Sequence, residues 1–436
     1  MDIKLNDLFS TDIRDYSIYA CHRAIPSGID GLKPSQRKVL FGMKKLYPSY
    51  STEVKVSIAS ASIMGVSAYH HGALDEVIVG MAQSFPGTNN IPLLDGIGQF
   101  GNRISPKAAA SRYIFTRNSK LSKALFNDSD EQILNWLTDD GMAIEPQFYL
   151  PLLPIVLING AQGMGTGYST NILQYSPKQI RDAMIATLAG KKAKPLVPWF
   201  SGFTGTISSG EGAQWIIEGK YEIVNTTTIK ITELPIGVYT LKYRDVLNAL
   251  EDKGMIKTYD DNSTDEGIEF IVTVPRETTK LSHDQLMKAF KLTSRSTENL
   301  VVWSPEGKIQ TFESADALLV WFTEYRLSRI TDRIHWVISD LEVQLAWVVE
   351  QIKFIKHYIS RAKAWADMTT DEIKLELEGK GFTQIDRLLD IRIARLNADN
   401  INRLMAERTS LAEKIEWHKL CDHREYFINE LKEISL

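Results

Sequence analysis

The chain has 436 residues, of which 44% are hydrophobic and 24% charged, a balance that predicts roughly two to four folded domains and excludes a disordered protein. It contains only two cysteines, Cys21 and Cys421, which excludes a disulfide framework and a cysteine-based zinc site. The net charge of −4 argues against a protein that is basic over its whole surface. The N-terminus lacks the apolar core of a signal peptide, and the longest apolar stretch, 148–158, is short for a membrane helix and carries two prolines. We therefore expect a cytoplasmic protein without a membrane partner.

The first third of the chain has the pattern of short helices joined by tight turns. In 33–47, Pro34 suits a first helical turn and the apolar residues form one stripe, and 73–85 repeats the helical spacing. Two segments, 31–56 and 101–125, are rich in lysine and arginine and poor in acids, which is typical of a surface that binds a polyanion. This pattern suits a helix-turn-helix or winged-helix DNA-binding module, although solvated helix faces would look the same.

The middle of the chain predicts a second, α/β domain. From about residue 149 the chain becomes rich in β-branched residues, and the runs 203–210, 222–235 and 267–275 predict strands. The polar stretch 260–267 predicts a loop between two of them.

The last quarter predicts two long helices with a compact insert between them. Apolar residues step by three and four from Ile330 to Ile359, and a similar stripe from Ile401 to Ile415 is interrupted by Arg408. Such a pattern predicts an antiparallel coiled-coil arm, with a helical hairpin that has no partner as the alternative. The apolar residues of the insert that could close a dimer contact are Leu388, Leu389, Ile391 and Ile393.

Several short motifs do not meet the requirements of the site that they suggest. The Gly-rich run 160–167 places Tyr168 where a dinucleotide-binding motif needs its third glycine, and no Gly-Lys pair is followed by Ser or Thr, so no ATP site is expected. The pair Asp128 and Asp130 has the character of a helix start rather than of a metal site. Adjacent histidines, His70 and His71, point in different directions on a helix, which argues against chelation by both.

Residues 108–117, AAASRYIFTR, place Tyr113 beside Arg112 and four residues before Arg117. A tyrosine hydroxyl has a pKa of about 10 and is a weak nucleophile, but a cation or metal can stabilise the charge that its attack creates. Tyr113 is therefore a candidate nucleophile. The alternative is a half-buried tyrosine between two solvated arginines.

Nine motifs follow one another in a fixed order along the chain. They are DGLKPSQRKVLF (30–41), EVKV (53–56), SAYHHG (67–72), AQSFPGTNN (82–90), IGQFGNR (97–103), AAASRYIFTR (108–117), EPQFYLPLLPIVLINGAQGMGTGYS (145–169), FTGTI (203–207) and ITELPIGVYT (231–240). In this order they resemble the DNA-cleavage core of the type IIA topoisomerases over residues 20–430.

The resemblance implies an α+β multidomain fold. An N-terminal segment and a winged-helix (CAP-like) DNA-cleavage domain would fill 1–147, an α/β tower domain 148–324, and a long antiparallel coiled coil with a C-gate dimerisation globule 325–436. A homodimer through the C-gate would follow. The chain shows no ATPase domain, no toprim signature and no DNA-wrapping repeats, and in this it is similar to the free-standing cleavage subunits of phage-encoded type IIA topoisomerases. Such a protein would act in the cytoplasm of a bacterial host.

The resemblance also implies the chemistry. Tyr113 matches the tyrosine that attacks double-stranded DNA and leaves a transient 5′-phosphotyrosyl link, and Arg112 would stabilise charge in the transition state. Mg²⁺ would be held by the toprim domain of a separate ATPase/toprim subunit, which would also bind the ATP. The reaction would be ATP-dependent strand passage that relaxes, decatenates or unknots DNA, and this chain alone should cut poorly.

Further positions match DNA contacts of the family or lie in the basic segments. They are Lys33, Arg37, Lys38, Lys55 and Arg103 for the backbone, His70 and His71 near the scissile phosphate, and Met164 as an apolar wedge that kinks DNA. The glycines around Met164 are expected to let the backbone approach DNA closely.

Two other functions are weighed against this one. An architectural DNA-bending protein would use the same surface without chemistry. A tyrosine recombinase would carry its arginine-histidine set before a C-terminal tyrosine, whereas Tyr113 lies in the first third of the chain. The pair Arg112 and Tyr113 between basic flanks favours the topoisomerase.

Overall fold

The computed structural model describes residues 9–265 and 267–435, which form a mixed α/β protein with one long helix. Contacts between Cα atoms divide the chain into two compact units. The first comprises the residues up to Arg326 together with those from Ile428 onward, and the second is Leu327–Phe427. The last residues thus join the first unit, although the sequence predicts an arm that runs to 436. The predicted boundary between 147 and 148 lies inside the first unit and stays a prediction.

The helices and strands follow in chain order. The helices of the first unit are α1 (Arg14–Ala24), α2 (Pro34–Leu46), α3 (Val56–Val66), α4 (Asp75–Ala82), α5 (Lys120–Leu125), α6 (Ile155–Ile158), α7 (Pro177–Leu188), α8 (Thr240–Asp252) and α9 (His283–Ala289). Its strands are β1 (Val54–Lys55), β2 (Leu94–Ile97), β3 (Phe115–Asn118), β4 (Trp136–Asp139), β5 (Met142–Pro146), β6 (Ala161–Gly165), β7 (Tyr168–Ile172), β8 (Thr206–Ser209), β9 (Gln214–Glu218), β10 (Lys220–Asn225), β11 (Thr228–Glu233), β12 (Thr258–Asp261), β13 (Phe270–Thr273), β14 (Thr293–Thr297), β15 (Leu300–Trp303) and β16 (Ile309–Phe312). Helix α10 (Ala315–Trp365) runs from the first unit into the second, which also holds α11 (Thr370–Gly379), α12 (Ile385–Leu389) and α13 (Ala398–Leu420), and α14 (His423–Glu433) returns to the first.

Three helices and a small sheet surround the segment that carries Tyr113. Strands pair in the antiparallel order β1-β3-β2, and helices α2, α3 and α4 pack together beside them. The predicted apolar stripe of α2 is confirmed, with Val39 and Met43 fully buried. Gly42 allows the close contact of α2 with α3, because a Cβ there would lie 2.6 Å from Cγ1 of Ile63.

The strand-rich middle contains a four-stranded antiparallel sheet in the order β10-β11-β13-β12. Its core includes Ile231, Phe270 and Leu247, which pack α8 against the sheet. The predicted strand 222–235 is in fact two strands, β10 and β11, joined by a turn at Thr226 and Thr227. The turn is as rich in β-branched residues as the strands that it joins, so composition alone did not reveal the break.

The second unit is built on α10 and α13. They run in opposite directions, with Glu342 of α10 bonded to Lys419 near the end of α13, and they share a core with Val348, Leu404 and Leu411. The predicted stripe on α10 is correct for most of its length, but Ile359 is half exposed. Leu388 packs wholly inside this unit, so it is not available for the dimer contact that the sequence predicts, whereas Ile393 is 80% exposed.

None of the described helices combines the length and the apolarity that crossing a bilayer would require.

Candidate active site

Tyr113 lies in a turn that is fastened at both ends to its surroundings. Its backbone N–H donates to the carbonyl of Ala110 at 2.9 Å, and the buried Ile114 follows as an anchor. The first backbone N–H groups of a helix have no acceptor within the helix itself. In α3 they donate to this turn, Val56 N–H to Ile114 O at 3.0 Å and Ser57 N–H to Ser111 O at 3.3 Å. The turn is therefore held while the tyrosine side chain, 67% exposed, projects into solvent.

The cations around Tyr113 are of two kinds. The guanidinium carbon of Arg112 lies 4.9 Å from the centre of the Tyr113 ring, and Lys55 faces the ring of Phe115 at 5.9 Å on the paired strand. Arg117, by contrast, bonds Asp95 at 3.0 Å and Glu53 at 3.4 Å. The alternative of a half-buried tyrosine between two solvated arginines is therefore wrong, because the tyrosine is exposed and only Arg112 lies free beside it in the described structure.

Met164 lies near the turn of the hairpin formed by β6 and β7, where it pairs with Ser169, and it is 86% exposed. The glycines on either side face inward, against α1. A Cβ on Gly165 would lie 2.8 Å from Sγ of Cys21, and one on Gly163 would overlap the carbonyl oxygen of Ala24. The glycines thus permit the close contact with α1, and the expectation that they also let the backbone approach DNA stays a prediction.

Lys33 is tied to the same hairpin. Its Nζ donates to the carbonyl of Gln162 at 2.7 Å, and burial lowers the pKa of its ammonium group. Lys33, at the start of α2, is therefore held against the hairpin that carries Met164, although more than a hundred residues separate the two in sequence.

Two other residues that the sequence predicts to contact DNA, Lys38 and His71, line a cavity of about 460 Å³. Lys38 lines it, with its Nζ bonded to Ser67 O at 2.5 Å and to Glu145 at 2.8 Å. His71 lines it too, and its Nε2 lies 2.7 Å from the hydroxyl of Tyr19. The neighbouring His70 is exposed. Both histidines lie in the connection between α3 and α4 rather than on a helix.

Arg37 and Arg103 do not lie on the surface where the sequence places them. Arg37 is buried and bonds both carboxylate oxygens of Asp30, at 2.7 and 3.0 Å. Burial alone would lower the pKa of Arg37, but Asp30 raises it above its ordinary value. Neither this guanidinium nor that of Arg103 is open to a DNA phosphate, because a charge in the interior needs its partner there.

Arg103 joins two distant parts of the first unit. Its Nη2 bonds Glu233 at 2.5 Å and the carbonyl of Leu234 at 2.8 Å, and the side chain is almost fully buried. Burial lowers the pKa of Arg103 despite the opposing charge of Glu233. The pair connects the segment before Tyr113 with the end of β11.

The Asp-x-Asp pair is a helix start, as the sequence predicts. Asp128 opens a 3₁₀ turn that is capped by Asn127, and Asp130 is buried in an ion pair with Arg326 at 2.5 Å. Within 9–265 and 267–435, no three His, Cys, Asp or Glu side chains come together as a metal site would require.

The structure thus places the predicted residues in separate groups. Tyr113 and Arg112 directly precede the central strand β3 at the end where Lys55 pairs with Phe115, and Lys33 is bonded to the hairpin of Met164. In the described part of the chain, no hydrogen bond or ion pair joins Tyr113 to either group of distant positions. Sequence reasoning missed the acids Asp30, Glu145 and Glu233, because only the fold shows which cation each of them neutralises.

Comparisons with known proteins agree on one class. A family model described as the A subunit of DNA gyrase/topoisomerase IV matches residues 23–433. The mitochondrial DNA topoisomerase 2 of Dictyostelium discoideum is 36% identical over 364 residues, which cover 81% of this chain and 28% of that protein. DNA topoisomerase 2 of Saccharomyces cerevisiae is 34% identical over 400 residues, covering 88% of this chain and 28% of that protein.

Among solved structures, the DNA-binding, cleavage and re-ligation domain of Plasmodium falciparum topoisomerase II aligns with a TM-score of 0.89 and 31% identity. The alignment covers 99% of this chain and 64% of that chain. The chain spans little more than a quarter of the length of the curated relatives described above.

Proposed function

Because the chain belongs to the family of DNA gyrase/topoisomerase IV A subunits, we propose that it is the DNA-breakage and rejoining component of a type IIA topoisomerase. The single observation that carries this proposal is the exposed Tyr113 with Arg112 beside it, on a turn that is fixed at both ends. A buried tyrosine could not reach a DNA backbone, and a tyrosine on a loose loop would lose the advantage of a fixed geometry.

In the proposed reaction the oxygen of Tyr113 attacks a phosphodiester of double-stranded DNA. A bond forms between that oxygen and phosphorus, the bond from phosphorus to the 3′ oxygen breaks, and the tyrosine proton is passed on as the 3′ hydroxyl forms. The 5′-phosphotyrosyl ester is a diester like the bond it replaces, so the reverse reaction reseals the strand without ATP. Arg112 stabilises the negative charge on phosphorus oxygens in the transition state, as a fixed guanidinium does well.

The proposal assigns supporting roles to the exposed predicted residues. Lys55 and His70 face solvent and bind the DNA backbone, and Met164 enters a base step as an apolar wedge. Lys33, Lys38 and His71 already form hydrogen bonds or ion pairs within the protein, which leaves them a positioning role toward DNA. Arg37 and Arg103 are left out of the interface because both are buried.

The finer architecture belongs to the same proposal. The helices around α2 and α3 form the winged-helix cleavage domain, the strand-rich middle forms the tower, and the second unit forms the arm that closes a homodimer through its C-gate. Mg²⁺ polarises the reacting phosphate when it is bound. We assign its ligands and the ATP site to the toprim and ATPase domains of a separate subunit.

Trapping the covalent intermediate tests the proposal. The chain is mixed with its large subunit, magnesium and radiolabelled plasmid, quenched with detergent and treated with nuclease, and label on the protein band is measured. Wild type is compared with Tyr113→Phe and with Tyr16→Phe, a control that changes a tyrosine of nearly the same exposure, 68% against 67%.

We expect label on wild type and on Tyr16→Phe, only when the large subunit is present, and none on Tyr113→Phe. Label on Tyr113→Phe would remove this residue from the reaction. Intact DNA bending without label in any lane, with a partner preparation of proven activity, would favour the architectural DNA-bending protein.

A further inference from the structure

Four arginines of the second unit line a single cavity of about 460 Å³. The cavity lies between α10, α12 and the first turn of α13, and its polar lining includes Arg387, Arg392, Arg395, Arg403 and Asn400, with Trp347 beside them. This set is called the arginine cavity below. None of its members has a role in the proposed cleavage reaction.

One amide side chain fixes part of the wall of the arginine cavity. Asn400 accepts bonds from Nε and Nη2 of Arg403, at 3.1 and 3.0 Å, and donates to the carbonyl of Arg395 at 2.8 Å. The 3₁₀ turn Ile393–Arg395 and the first turn of α13 are thereby locked together, and Asn397 caps that helix. The guanidinium of Arg403 and the backbone of Arg395 therefore lose little conformational entropy when a ligand binds.

The charge of the arginine cavity is not balanced by the protein. Asp390 is the one acid among its described lining residues, so four arginines and one aspartate leave a net charge of +3. Other cations of the same unit form ion pairs, as in Arg361–Glu376 and Lys419–Glu342. No carboxylate of the described chain lies within ion-pair distance of any of the four cavity arginines. Four like charges in one concave space repel one another, and a bound anion would relieve that repulsion.

The individual side chains are suited to a phosphate. Arg387 lies 3.9 Å above the ring of Trp347 and bonds Gln384, so its guanidinium is held in place. Arg392 and Arg395 are exposed, and neither guanidinium has a hydrogen-bond partner in the described structure. A free guanidinium presents a planar fork of donors that matches two phosphate oxygens, which a lysine cannot do.

We propose that the arginine cavity binds a phosphate-bearing ligand, and that the ligand is the backbone of a DNA segment. The phosphate chemistry rests on the cavity alone. The choice of DNA rests on the proposed function, since a DNA-cleaving protein meets this polyanion at high local concentration. The arginine cavity is then a DNA contact in the second unit, separate from the site of Tyr113.

Protection of arginines from phenylglyoxal tests this proposal on the full chain. The protein is modified without ligand, with a short DNA duplex, or with inorganic phosphate at the same total phosphate, and each arginine is scored by peptide mass spectrometry. Arg408, exposed on α13 and outside the arginine cavity, is the matched control. Arg112 reports on the proposed active site in the same sample.

We expect the duplex to protect Arg392 and Arg395 several-fold relative to Arg408. Protection by inorganic phosphate as strong as that by the duplex would support the phosphate site and assign it a free anion instead of DNA. If Arg392 and Arg395 stayed fully reactive both with the duplex and with inorganic phosphate, the proposal would be overturned. If Arg112 were protected in that case, the proposed function would stand, whereas an unprotected Arg112 would count against the proposed function itself.

Substitution gives a second readout. Arg392→Gln with Arg395→Gln removes two exposed side chains that make no hydrogen bond in the described structure, so the fold should be retained. The plot of log DNA affinity against log salt concentration has a negative slope, and the loss of two phosphate contacts should reduce the magnitude of that slope by about two. Arg408→Gln should leave the slope unchanged. An unchanged slope in the double variant would overturn the assignment to DNA.

Discussion

The buried pair of Arg103 and Glu233 can be tested directly, because the sequence predicts that Arg103 contacts DNA whereas the structure buries its side chain beside Glu233. Arg103→Met removes the guanidinium but keeps an unbranched apolar chain of similar reach. Glu233 would then remain buried as a charge, with bonds only from the N–H and hydroxyl of Thr204, at 3.1 and 3.2 Å, and from Leu234 N at 2.9 Å.

The expected loss follows from this geometry. Removing one partner of a buried ion pair costs about 3–5 kcal/mol, because the remaining charge is left without compensation. The additional variant Glu233→Gln should recover part of that loss, with a coupling energy of about 0.5–3 kcal/mol, since the uncompensated charge is then gone. Two buried donors of Arg103, Nε and Nη1, have no partner in the described structure, which places the expected loss toward the lower end.

Urea unfolding, followed by circular dichroism, measures the change in the free energy of unfolding, and DNA affinity is measured in parallel under folding conditions. Arg112→Met is the control, because its exposed side chain should change stability by less than about 0.5 kcal/mol. A loss below about 1 kcal/mol for Arg103→Met, combined with clearly weaker DNA binding, would refute the buried role of Arg103.

Two further predictions concern the hairpin of β6 and β7. Gly163→Ala should destabilise the protein by about 1–3 kcal/mol in urea unfolding, because its Cβ would overlap the carbonyl of Ala24. The control Gly80→Ala, on the open side of α4, should stabilise the protein by up to about 1 kcal/mol. Equal effects of the two substitutions on stability would contradict the close packing of the hairpin on α1. Met164→Ala should leave stability within about 0.5 kcal/mol of wild type but reduce the bend of a duplex labelled at both ends with dyes for energy transfer, and an unchanged bend would exclude the wedge.

The local features of this protein can be predicted from its sequence alone. Helical spacing placed α2 and α4, β-branched runs located several strands, and the basic flanks drew attention to Tyr113 with Arg112. These features depend on neighbours a few residues apart, so they can be read directly from the chain. The order of the motifs, rather than any one of them, identified the family.

Which charged residues are available to a ligand depends on the fold and cannot be predicted from local sequence patterns. Arg103 and Glu233 are 130 residues apart, and Lys33 meets the carbonyl of Gln162 across 129 residues, so no local pattern distinguishes a buried, paired cation from a free one. The arginine cavity shows the converse, because α10 and the turn before α13 come together only in the folded unit. The fold alone determines which cations find a carboxylate, since that depends on distance in space and on burial rather than on composition.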